Sequence, residues 1–128
     1  MLNYLFIGLG SALGGMARYW LAGVVAQRWG DPFPTGTLLV NVTGSFAIGF
    51  FAAFAKGEGG WAGGPLARNF FMSGLCGGYT TFSSFSLQTL NLVREGAWFY
   101  AGLNVVLSVV LCLLGVWLGY LSAQWGKR

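Results

Sequence analysis

Gly74-Leu75-Cys76-Gly77-Gly78-Tyr79-Thr80-Thr81-Phe82-Ser83-Ser84-Phe85 lies in the middle of a long apolar segment, and its reading decides the fold. Two adjacent glycines, Gly77 and Gly78, lead into hydroxyls at Thr80, Thr81, Ser83 and Ser84. That composition predicts an interrupted helix, because glycine and hydroxyl side chains both compete with helical hydrogen bonding. The apolar surroundings put the interruption at membrane depth. Irregular backbone survives there only where protein or a water-filled cavity satisfies the freed N–H and C=O groups, so the break predicts an ion or substrate site.

Composition supports the membrane setting. Of 128 residues, 55% are hydrophobic and 8% charged, and the mean hydropathy is +0.65, more apolar than a soluble domain tolerates. Crossing a hydrocarbon core of about 30 Å takes about 20 apolar residues. Four such spans can be drawn, at about 2–26, 36–55, 66–93 with a break at 76–81, and 97–123, giving one membrane domain over 1–128. The predicted class is therefore an all-α integral membrane protein with a broken third helix. The net charge of +4 comes from seven basic and three acidic residues, nearly all at span ends or in loops, a pattern of interfacial anchoring that excludes a nucleic-acid surface. Cys76 and Cys112 fall inside spans and histidine is absent, so neither a disulfide framework nor a Cys/His metal site is expected. The N-terminus lacks the basic region that precedes a signal-peptide core, and the first span is expected to be retained.

Within the spans, Gly10-x-x-x-Gly14 and Gly115-x-x-x-Gly119 mark faces suited to close helix packing. Arg18 lies about 24 Å along the first helix from Leu2, at about 1.5 Å per residue. An arginine there either snorkels to the interface or stands in an anion-attracting vestibule, and both readings stay open from the residues alone. Asn41 and Ser45 are one turn apart on one face of the second span. The Asn41 amide is either interhelical glue or a donor of two hydrogen bonds to an anion. Phe82 and Phe85 share a face of the resumed third helix. Spacing alone makes them lipid-facing or core residues, but Ser83 and Ser84 beside them can line a narrow polar path in which the positive ring edges face an anion. Asn104, Ser108 and Cys112 form a weakly polar stripe on the fourth span.

An even number of spans puts both termini on one side, with Lys56, Arg68, Lys127 and Arg128, against Arg28 and Arg94 on the other. This small bias is compatible with a single orientation or with insertion both ways and an antiparallel pair.

Three stretches together carry a resemblance that covers nearly the whole chain: G-G-M-A-R-Y around Arg18, G-T-L-L-V-N-V-T-G-S-F around Asn41, and the broken-helix segment itself. The chain resembles the Fluc (CrcB) family of fluoride channels. The resemblance implies a dual-topology antiparallel homodimer in a prokaryotic plasma or inner membrane, with two pores for passive fluoride export and no enzymatic activity. It further implies that Asn41 is a pore-facing amide, that Phe82 and Phe85 line the ion's path, that Thr81, Ser83 and Ser84 form a hydroxyl track, and that Arg18 stands in the vestibule. The backbone carbonyls of Gly77 and Thr80 would hold a structural sodium ion at the dimer centre. Tyr79 and Ser84 depart from residues frequent in the family, and Val116 stands where some members carry a pore hydroxyl. Physical chemistry fits this assignment, since fluoride is small and strongly hydrated and a pore must replace its water with neutral donors without trapping it.

Two other classes compete with this reading. A small multidrug exporter needs an intramembrane carboxylate for proton coupling, whereas Asp31, Glu58 and Glu95 all fall in expected loops. A non-transporting assembly subunit would leave the broken helix and its hydroxyls unexplained.

Overall fold

A computed structural model describes residues 1–30, 32–57 and 62–126. Asp31, Glu58 and the Lys127-Arg128 end, which entered the charge argument, lie outside the described residues. The described chain is helical throughout, in the order α1 (Leu2–Trp29), α2 (Thr35–Gly57), α3 (Pro65–Arg68), a π-helical stretch Asn69–Cys76, α4 (Gly77–Tyr79), α5 (Phe82–Arg94) and α6 (Trp98–Trp125). Of these, α2 and α6 are long and apolar enough to cross a membrane, and α1 equals α6 in length at 28 residues.

Sequence chemistry explains the ends. Helix α1 stops at Gly30, whose φ of 61° only glycine adopts freely, and Pro32 and Pro34 follow before α2 begins. The turn from α5 to α6 closes on Gly96 at φ 77°. There Gly96 N–H donates to Val93 O at 3.0 Å and Ala97 N–H to Leu92 O at 2.8 Å, which satisfies the last carbonyls of α5 and lets the chain reverse within three residues.

Two close backbone contacts build the packing. Gly115 and Gly119 of α6 lie against Val42 and Phe46 of α2, so a Cβ at Gly119 would collide with the Phe46 carbonyl. Gly10 and Gly14 of α1 lie against the run from Phe70 to Tyr79 in the same manner. Both contact series advance in the same direction along each partner, so α6 runs parallel to α2, and α1 parallel to the 65–79 helical run. The two small-residue stripes are thus spent inside the chain, and they carry no argument for association between chains. Because the obstacle at Gly119 is backbone, Gly119→Val is expected to cost about 1–3 kcal/mol through overpacking. Denaturation of the detergent-solubilised protein measures this, and unaltered stability would mean that α2 and α6 do not meet there.

The interruption is narrower than 76–81. Cys76 closes the π-helical stretch, and Gly77 and Gly78 are helical. Gly78 is small because the Ser11 backbone of α1 leaves no room for a Cβ. Extended backbone occurs at Thr80 (φ −83°, ψ 157°) and Thr81 (φ −150°, ψ 110°). The threonines therefore make the break: a β-branched residue gives up little by leaving the helix, the Thr80 hydroxyl adds a second bond to a carbonyl that Thr80 N–H already reaches, and the Thr81 hydroxyl takes an N–H that the helix has lost. Thr80 Oγ1 donates to Cys76 O at 2.9 Å, and Thr81 Oγ1 accepts the Ser84 N–H at 3.1 Å as the N-cap of α5.

Candidate functional site

The freed backbone at Thr81 is satisfied by one side chain from a different helix. Asn41 of α2 accepts the Thr81 N–H on Oδ1 at 2.7 Å and donates from Nδ2 to the Thr81 carbonyl at 3.1 Å. An amide is the one neutral side chain that can return both bonds in this way. Of the two donors the Asn41 amide could offer an anion, one is thus committed to Thr81, and the other has no acceptor among the described residues.

Thr81 is buried and stands between two cavities. A cavity of about 440 Å³ has Asn41, Gly77, Thr80, Thr81, Phe82 and Phe85 in its wall, together with Ser45, Ser108 and Cys112. Here the structure brings together most of the residues singled out in the sequence. The two rings lie with centroids 5.2 Å apart, inclined at 51°. Their settings differ sharply, since Phe85 is 8% exposed and Phe82 is 78% exposed. A second cavity, about 620 Å³, contains Arg18, Thr81, Ser84, Thr37 and Gln88. Arg18 therefore faces a cavity that reaches the break, rather than lying remote from it. Ser83 borders neither cavity, although its hydroxyl lies 3.2 Å from Thr81 Oγ1.

The hydroxyl network has a direction. Thr81 Oγ1 donates to Ser84 Oγ at 3.0 Å while accepting the Ser84 N–H. Ser84's own proton then has no acceptor among the described residues, and it can be offered into the cavity that holds Arg18. The Arg18 guanidinium and the Ser84 hydroxyl line one cavity, the Asn41 amide lines the other, and both cavities reach Thr81. A full charge in the constriction would hold a small anion too tightly to release it, whereas neutral dipoles replace water and let go.

Residues missed in the sequence include Thr37 and Gln88, which share the Arg18 cavity. Gln88 Oε1 is buried without a hydrogen-bond partner among the described residues. No local signal marks either residue, because their importance depends on how α1, α2 and α5 together enclose the cavity. The hydroxyls of Thr43, two residues beyond Asn41, and Tyr79 lie 2.9 Å apart and tie α4 to α2.

Comparison with known proteins identifies the family of the chain. Residues 5–120 match the family described as CrcB-like protein, Camphor Resistance (CrcB). A protein of Methylocella silvestris named fluoride-specific ion channel FluC is 59% identical over 122 residues, 95% of this chain and 93% of its own. The protein of the same name from Opitutus terrae is 59% identical over 94% of this chain and 91% of its own, and that of Rhodospirillum rubrum 54% identical over 95% of each. A match of this extent, over the helices that hold Arg18, Asn41 and the break, shows that the chain belongs to the CrcB-like family.

Proposed function

We propose that this protein is a fluoride-selective channel of a bacterial membrane, not an enzyme, and that it lets fluoride leave the cell passively down its electrochemical gradient. The observation that carries the reading is the cavity joining Asn41, Thr81, Phe82 and Phe85 at a helix break; the likeness to proteins named fluoride-specific ion channels supplies the ion. Fluoride enters cells from acidic surroundings as the neutral acid and dissociates inside, so a passive path driven by the membrane potential suffices to expel it.

In this reading the 128 residues form one domain of four spans. Support comes from the parallel pairing of α1 with the broken segment and of α2 with α6, as alternating spans require. A second copy, antiparallel to the first, supplies the missing wall. The exposed Phe82 ring at the rim of the cavity supports this, since a chain that lines a pore alone would bury it. The dimer would then contain two pores.

A structural sodium at the dimer centre belongs to the same proposal. The N–H groups that would close helical bonds onto the Gly77 carbonyl are those of Thr80 and Thr81, and these go to Cys76 and Asn41. The Ser84 N–H, four residues after Thr80, goes to Thr81 Oγ1. Carbonyl oxygens left in this state suit a hard monovalent cation, and Gly77 and Thr80 would hold it, supplying fixed positive charge near the anion path.

Purified protein in liposomes loaded with fluoride is expected to release it within seconds to minutes of adding a potassium ionophore, while chloride stays trapped. Equal release of both ions, or none of either, would overturn the channel reading. Single cysteines placed at each terminus of a cysteine-free version are expected to react with impermeant reagents from both membrane faces, and a one-sided pattern would overturn the antiparallel pair.

A further inference from the structure

The fourth span's polar stripe is not fully absorbed by the cavity. Ser108 and Cys112 face it, but Asn104 does not. Asn104 is 2% exposed, and its Nδ2 donates to Thr89 Oγ1 on α5 at 2.9 Å. Thr89 Oγ1 in turn donates to the Phe85 carbonyl at 2.8 Å. Ser108 Oγ donates to Asn104 Oδ1 at 3.4 Å, which fixes the sense of the amide. The protons therefore run one way, from Asn104 through Thr89 to the backbone of Phe85. Among the described residues this is the one side-chain hydrogen bond between α5 and α6.

Phe85 and Thr89 are one turn apart on one face of α5, and Thr81, four residues before Phe85, is the N-cap of that helix. Phe85 is thus bracketed by two threonines, each tied to an asparagine of another helix: Thr81 to Asn41 on α2, and Thr89 to Asn104 on α6. The break removes helical continuity with α4, so the backbone ties α5 only at its far end, through the turn at Gly96, and the rotation of its first turns, where Phe85 lies, is left to side-chain contacts. Each residue turns the helix by about 100°, and a rotation of a fraction of that carries the Phe85 ring edge out of the cavity wall. Two anchors, two turns apart and on different helices, remove that freedom.

We propose that Asn104 and Thr89 are positioning residues that lock the rotation of α5 and so set the edge of the Phe85 ring toward the ion. Neither side chain borders the cavity: Thr89 acts through the Phe85 backbone, and Asn104 acts through Thr89 and through Ser108, which does face the cavity. The inference rests on the channel reading for its consequence in flux, but the ring's placement can be measured independently of conduction.

Thr89→Val preserves shape and removes the hydroxyl, whereas Thr89→Ser keeps it. With 4-fluorophenylalanine incorporated at Phe85, the ¹⁹F resonance of the Thr89→Val protein in micelles is expected to shift and broaden, while that of Thr89→Ser stays at the position of the unmodified sequence. In liposomes, Thr89→Val is expected to lower fluoride efflux about five- to tenfold, the scale of one interhelical bond in a membrane, with Thr89→Ser within about twofold. Asn104→Leu combined with Thr89→Val is expected to lose no more than Asn104→Leu alone. An unmoved resonance in Thr89→Val overturns the proposal, as does equal impairment of the serine and valine variants or an additive double loss. A moved resonance in a protein that carries no fluoride at all would sustain the positioning and remove the channel reading instead.

Discussion

Alanine at Asn41 is expected to abolish fluoride conduction and to destabilise the fold at the same time. The side chain returns two hydrogen bonds to Thr81, and alanine leaves an N–H and a C=O unpaired where little water can reach them. Interhelical bonds in membranes are worth about 0.6–1.7 kcal/mol each, and an orphaned polar group costs about 1–3 kcal/mol, so a loss of about 2–4 kcal/mol is expected. Flux should fall by about a hundredfold or more, because the same change removes the remaining amide donor and lets the break collapse around Thr81. Asn41→Asp separates the two effects. Its neutral acid form, which burial favours, returns both bonds to Thr81 but lacks the second donor of the amide, so it should conduct poorly while unfolding less easily than alanine. Denaturation in detergent and efflux from liposomes measure the pair. A stable, fully conducting alanine variant would show that Asn41 neither holds the break nor meets the ion.

Much of the site was legible because the residue types were unusual for their setting. Asn41, Thr81 and Phe85 stood out as polar or aromatic groups at membrane depth near a break, and they share one cavity. The location of the break was less legible. Gly77 and Gly78 were read as helix breakers, yet Gly78 serves the approach of α1, and the extended residues are the two threonines beyond. Local propensity cannot distinguish a glycine that breaks a helix from one that admits a neighbour, since both follow from the missing Cβ. The same ambiguity affected Gly115-x-x-x-Gly119, whose packing partner lies within the chain. The two asparagine–threonine pairs join residues 40 and 15 positions apart, and nothing in the spacing of either pair announces its partner. They become visible only when the helices are placed side by side.

Phe85→Ile and Phe82→Ile should each suppress fluoride flux by about tenfold or more, but with different structural consequences. The rings were expected to act as an equivalent pair, whereas the fold buries one and leaves the other exposed. At Phe85, isoleucine is smaller and differently shaped in a packed setting, so a stability loss of about 1–2 kcal/mol accompanies the flux defect. At Phe82 the chain itself loses almost no packing, and stability of the isolated subunit should be unchanged. Any stability effect there must come from a second copy lying over the ring, so a defect that grows weaker as the protein is diluted in detergent would locate Phe82 in the dimer contact. Both substitutions keep apolar bulk and remove the positive ring edge, the feature that meets an anion without hydrogen-bonding water. A loss of flux in both variants, with a stability loss confined to Phe85, is the expected pattern. Full flux in both would mean that the ion's route lies elsewhere and that these rings only pack.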